Sequence, residues 1–177
     1  MNNILRLLVS LLLGAVALSA ADTPAAPPAK KKNWAAPAAK LYAQTLCDEI
    51  MAAHPELLSV TMQGTPPGLD KVYTMFAGSF PERIGNASDP DDIEVIVKGI
   101  TIVDPRWRRK DPIPKVVVLT PLRDVTGENI GLIVIAFKND AAHTRSEREF
   151  YQMACDLRDS VQPRIASFAA LFAPAAR

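Results

Sequence analysis

The sequence predicts an α+β fold, an antiparallel sheet with N- and C-terminal helices packed on one face. Three observations predict it. Residues 115–137 hold two apolar runs, Val116–Leu119 and Ile130–Phe137, around a polar turn with Gly127, Glu128 and Asn129 at its tip, a β-hairpin pattern. In the second run apolar residues occupy both phases, Ile130, Leu132 and Val134 against Ile133, Ile135 and Phe137. Such a strand is covered on both faces and central to its sheet. Amphipathic helical stripes lie on either side of this region in the chain. Gly131, inside the run, has no side chain to pack and marks a bulge or a close approach by another segment.

A chain of 177 residues is long enough for one domain with a substantial core. Lys+Arg 20 against Asp+Glu 19 leaves no basic field of the kind nucleic acid binding needs, so nucleic acid is not expected as a partner. Residues 1–21 read as an export signal: Arg6 ends the n-region, Leu7–Leu18 is apolar, and Ser19, Ala20 and Ala21 suit cleavage before Asp22. The expected location is therefore periplasmic or secreted, with no stable membrane insertion once the signal is removed. Residues 22–36, rich in Pro, Ala and Lys, read as a disordered linker, and 37–172 as the single domain. Two cysteines, Cys47 and Cys155, in an exported chain favour a disulfide, with two buried free thiols as the alternative. A bridge would close a loop of about a hundred residues and contribute roughly 4–5 kcal/mol in the chain-entropy model.

From Pro37 an apolar stripe (Ala39, Tyr42, Ala43, Leu46, Cys47, Ile50, Met51, His54) predicts a helix stopped by Pro55. Leu58–Gln63 alternates, Val60 and Met62 against Ser59, Thr61 and Gln63, and predicts a strand with one wet face. Thr65-Pro66-Pro67-Gly68 turns the chain into a second strand, Lys71–Ala77, which should pair with the first. The polar excursion 78–92 is too long for a simple turn, and such loops carry function in many domains. Residues 93–97 are β-branched enough for a strand. Asp89 as N-cap, Pro90 at the first helical position, Asp91 and Asp92 in the first turn and Gly99 as terminator instead predict a short helix over 90–98. A short strand at Ile100–Val103 and a charged loop 104–114, with Arg106, Arg108, Arg109 and Lys110 around Trp107, precede the hairpin. Thr144 and Ser146, each three residues before a glutamate, open a last helix with Phe150, Met153, Ala154, Leu157 and Val161 on its apolar face. Pro163 ends or kinks that helix before an apolar segment at 165–172.

Catalytic patterns are absent: there is no Gly-x-Ser-x-Gly, His-Glu-x-x-His, Cys-x-x-Cys or phosphate-cradling glycine loop. Neither catalysis, a metal nor a cofactor is expected. The element order, and above all PLRDVTGENIGLIVIAF from Pro121 preceded by VVVL, resembles PAS-like extracytoplasmic sensor domains of the single-Cache (PDC-like) type. The resemblance implies a small-molecule or partner site on the sheet beneath the loops, and it brings no ligand residues with it. Candidate ligand-binding residues are Tyr73 on the second strand, Arg83 in the excursion, Arg106 in the charged loop, and Arg123 with Asp124 at the hairpin. The function expected is that of an exported stand-alone domain that binds a small molecule, anionic metabolites among the candidates, without catalysis. One alternative is an interaction protein that docks to a membrane sensor or a second copy, a reading that exposure of Phe168, Leu171 and Phe172 would favour. A weaker one is a heme or redox binder using His54 or the cysteines.

Overall fold

A computed structural model describes residues 31–105 and 113–175. The chain runs α1 (Tyr42–Ala53), β1 (Leu57–Gly64), β2 (Thr74–Gly78), α2 (Pro90–Lys98), β3 (Ile102–Asp104), β4 (Lys115–Arg123), β5 (Asn129–Lys138) and α3 (Glu147–Val161), with 3-10 turns at Pro81–Arg83, Gln162–Arg164 and Ala169–Phe172. All strands are antiparallel, in the order β2-β1-β5-β4-β3. This is an α+β fold with a PAS-like sheet. β5 is the middle strand, as its two apolar phases require.

Those phases separate two cores. Ile133, Ile135 and Phe137, with Val60, Met62, Phe76, Val116 and Val118, pack beneath α1 and α3. Leu132 and Ala136, with Val117, Leu119 and Val95, pack beneath α2 on the opposite face. The N- and C-terminal helices thus share one face, and α2 covers much of the other.

Local signals place the helix ends. Ser146 Oγ accepts from Glu149 N while Glu149 Oε2 accepts from Ser146 N, a reciprocal cap that opens α3. α2 begins with the equivalent Asp89/Asp92 pair and ends on Gly99 in the left-handed region. Gly131 proves to be a close approach: a Cβ there would lie 2.6 Å from the Gln63 carbonyl oxygen of β1.

Four expectations are corrected. The disulfide does not form: Cys47 and Cys155 are both buried free thiols. α1 lies over β1 and β2, whereas α3 lies mainly over β4. Cys47 faces the core from α1, and Cys155 sits on the flank of α3 beside Tyr151. Strands are spaced about 4.8 Å apart, so helices over opposite halves of the sheet hold their cysteines beyond bonding reach. Mass spectrometry of unreduced protein is expected to find two free thiols, with Cys47 alkylating very slowly because burial pushes its thiol pKa far up. A mass lighter by two hydrogen atoms would overturn this. Second, residues 31–36, expected in the linker, pair with the domain through Lys32 opposite Asn86 and through Trp34 against Phe172. Third, Leu171 is fully buried, and Phe168 and Phe172 pack on Phe76 instead of facing outward. Fourth, the wet face expected on β1 is covered.

Candidate functional site

The polar phase of β1, Ser59, Thr61 and Gln63, points to the face occupied by α2. α2 sits over β4 and β5 and leaves the β1 end of that face to be roofed by the excursion 78–89. Between sheet and roof lies a partly open cavity of about 150 Å³. Its floor is Thr61 and Gln63 of β1 with Val134 and Ala136 of β5, and its walls include Phe80, Arg83, Asn86 and Asp92. Thr61 and Gln63 are only 8% and 7% exposed, unusual for polar side chains on a strand. Their hydroxyl and amide are the type of orienting group found in small-molecule sites.

Arg83 supplies the cation. It closes the Pro81–Arg83 turn and stands over the Phe80 ring, with Cζ 5.0 Å from the ring centroid. Among the described residues it makes no ion pair. Its guanidinium is therefore held in place by the aromatic face, while its hydrogen-bond donors are committed to no carboxylate of the described residues.

Asp92 supplies the buried acid. It is 6% exposed, and its Oδ2 accepts from Asp89 N at 3.0 Å. Burial pushes its pKa up to about 6, Asp91 and Asp89 add to the rise, and hydrogen bonds from Asp89 N and the Gln63 side chain oppose it. Ser88 Oγ donates to Gln63 Oε1 at 2.7 Å, so Gln63 ties the roof segment to the floor of the cavity. Asp89, Asp91 and Asp92 bring carboxylate oxygens within 4.8 Å of one another, an arrangement the helix cap already accounts for.

Of the candidate ligand-binding residues that are described, Tyr73, Arg83, Arg123 and Asp124, the cavity is lined by Arg83 alone. Tyr73 acts through its carbonyl, which accepts from Asn33 Nδ2 and Ser88 N. Arg123 and Asp124 build the hairpin turn. Arg123 Nη1 donates to Gly127 O, and Asp124 Oδ1 accepts from Thr126 N, Thr126 Oγ1 and Glu128 N. Committed to that turn, neither lines the cavity. Arg106 lies outside the described residues. His54 ends α1, with Nδ1 2.9 Å from Glu56 Oε1, and does not line the cavity between β1 and the excursion. Thr61, Gln63 and Asp92 were missed. The signal for the first two was present, as the polar half of an alternating strand, but alternation alone reads as solvent exposure.

No family model matches the chain, and no curated protein matches it. Several solved structures do, at low identity. A type II free methionine-R-sulfoxide reductase from Thermoplasma acidophilum is 16% identical, with a TM-score of 0.46, and the match covers 73% of this chain and 91% of that one. The C-terminal domain of the E. coli transcriptional regulator KdgR is 13% identical, with a TM-score of 0.44, covering 73% and 96%. A double mutant of the inducer binding domain of the PobR transcription factor from Acinetobacter, complexed with 3-hydroxybenzoic acid, is 9% identical, with a TM-score of 0.43, covering 71% and 95%.

Proposed function

We propose that this chain is an exported sensor-type domain that binds a small organic anion in the cavity between β1 and the 78–89 excursion, without catalysis. The observation that supports it is Arg83, a cation held over Phe80 without an acidic partner among the described residues, at the wall of a cavity floored by buried Thr61 and Gln63. A space of this size suits a guest of about six heavy atoms, since cavities near 150 Å³ accept benzene. A carboxylate would take Arg83 as its partner and leave its apolar end against Val134 and Ala136. Export rests on the pattern of residues 1–21, and the single-Cache assignment on the hairpin sequence.

Thermal shift with acetate, propionate and benzoate tests the reading. Saturation to about a hundred times Kd contributes about 2.7 kcal/mol, which for a domain of this size raises Tm by roughly 5–10 °C. Arg83→Ala is expected to weaken binding about tenfold or more, the loss of a charged hydrogen bond. A Tm unmoved by every compound, or moved equally in the variant, would sink the proposal.

A further inference from the structure

The roof of the cavity is itself held from outside. Segment 85–88 runs as an irregular ribbon along the free edge of β2: Met75 N donates to Asn86 O, Gly85 N to Met75 O, and Ser88 N to Tyr73 O. Its outer edge is paired with residues 31–34. Asn33 N donates to Gly85 O at 2.9 Å and Trp34 N to the same oxygen at 3.4 Å, while Ala87 N donates to Lys31 O at 3.3 Å. Asn33 Nδ2 reaches over the ribbon to Tyr73 O at 2.9 Å. The N-terminal segment therefore adds a second layer of pairing beyond the edge of the sheet. Trp34 anchors it, edge-on to Phe172 with ring centroids 6.1 Å apart. The fit is tight at Gly85, whose φ is +88°, and a Cβ there would lie 2.2 Å from Trp34 O. Only glycine meets both demands.

The same ribbon faces inward with Asn86 and Ala87, and only Ile84 separates it from Arg83. We infer that the strap Lys31–Trp34 is a positioning device for the cavity wall, holding 83–88 in its binding geometry so that strap docking and ligand occupancy reinforce each other. The ligand half of this statement rests on the function proposed above; the hold on the wall does not. The physical reason is shared ordering. A segment fixed on its outer edge by the strap costs less to order when a ligand contacts its inner side, and the reciprocal effect on strap docking must be equal. A pull on the chain before Lys31 would be felt at Arg83.

Hydrogen–deuterium exchange on the full chain tests this with Asn33→Ala, an exposed residue outside the cavity. Removing its contact is expected to speed amide exchange in 83–88 about fivefold, the size of one lost hydrogen bond, while exchange in β4 and β5 stays unchanged. Trp34→Ala is expected to do the same more strongly. Millimolar propionate, added to the wild type, is expected to slow exchange in both 83–88 and 31–34. Unchanged exchange of 83–88 in Asn33→Ala overturns the inference, as does propionate that protects 83–88 while 31–34 exchanges as before. If no carboxylate protects the wall or raises Tm, the anion-binding function fails, and the comparison of wild type with Asn33→Ala alone decides whether the strap holds the wall.

Discussion

Gly131→Ala is expected to lower the stability of the fold by about 3 kcal/mol, at the upper end for overpacking a core. Gly131 lies in β5, the middle strand, opposite Leu122 of β4, and the added methyl would lie 2.6 Å from Gln63 O of β1. Relief needs β1 or β5 to move. β1 carries Val60 and Met62 into the core beneath α1, and β5 is held on both edges, so neither can shift without opening packed contacts. Gln63 also lines the cavity, and a displaced β1 would loosen its contact with Ser88. Urea denaturation reads the effect directly as a lower midpoint at unchanged slope. A change below about 1 kcal/mol would show that the strands have room this geometry denies them.

Asp92→Asn is expected to stabilise the protein at neutral pH and to do nothing near pH 4. Desolvation raises the folded-state pKa of Asp92 to about 6, above its ordinary value of 3.8. The folded state therefore holds this proton more tightly than the unfolded chain does. For an acid raised in this way, stability is highest below about pH 4, falls as the pH rises to about 6, and is flat beyond. A shift of this size corresponds to about 3 kcal/mol at most at pH 7. Asparagine keeps an oxygen to accept from Asp89 N and removes the buried charge. Denaturation midpoints of both proteins from pH 4 to 8 should diverge upward from about pH 4 in favour of the variant. Parallel curves would mean that Asp92 is better solvated than its burial implies. The proposed anion site makes a second demand on the same group: with Asp92 protonated, the wall loses a negative charge, and a carboxylate should bind more tightly at pH 5 than at pH 7.5.

How much of this was legible in the chain depended on how local each interaction is. The α2 helix was readable to the residue, because Asp89, Pro90, Asp92 and Gly99 are all within the segment they terminate. The Ser146–Glu149 cap marked the start of α3 in the same way. The central position of β5 followed from its two apolar phases, since a strand covered on both faces has to lie inside its sheet. Arg83 was singled out only by its place in the long polar excursion, the kind of loop that carries function in many domains; its seat over Phe80 came with the structure.

What the sequence determined by itself was the set of elements, the face each side chain shares with its neighbours, and the identity of the middle strand. The tertiary structure alone decided what covers each face. Ser59, Thr61 and Gln63 alternate as the solvent side of an open sheet would, and become a cavity floor only because the 78–89 excursion folds over them. Arg123 has the same guanidinium as Arg83, yet it is committed with Asp124 to the hairpin turn, and neither lines the cavity. Cys47 and Cys155 are a plausible pair in the chain and stand on opposite halves of one face in the fold. Residues 31–36 have the composition of a linker, but a ribbon edge with open donors and acceptors orders them, and that edge exists only after β2 and 85–88 have paired. Periodicity reports which residues face the same way; which segment meets them is a matter of long-range packing, and the candidate site is made of such meetings.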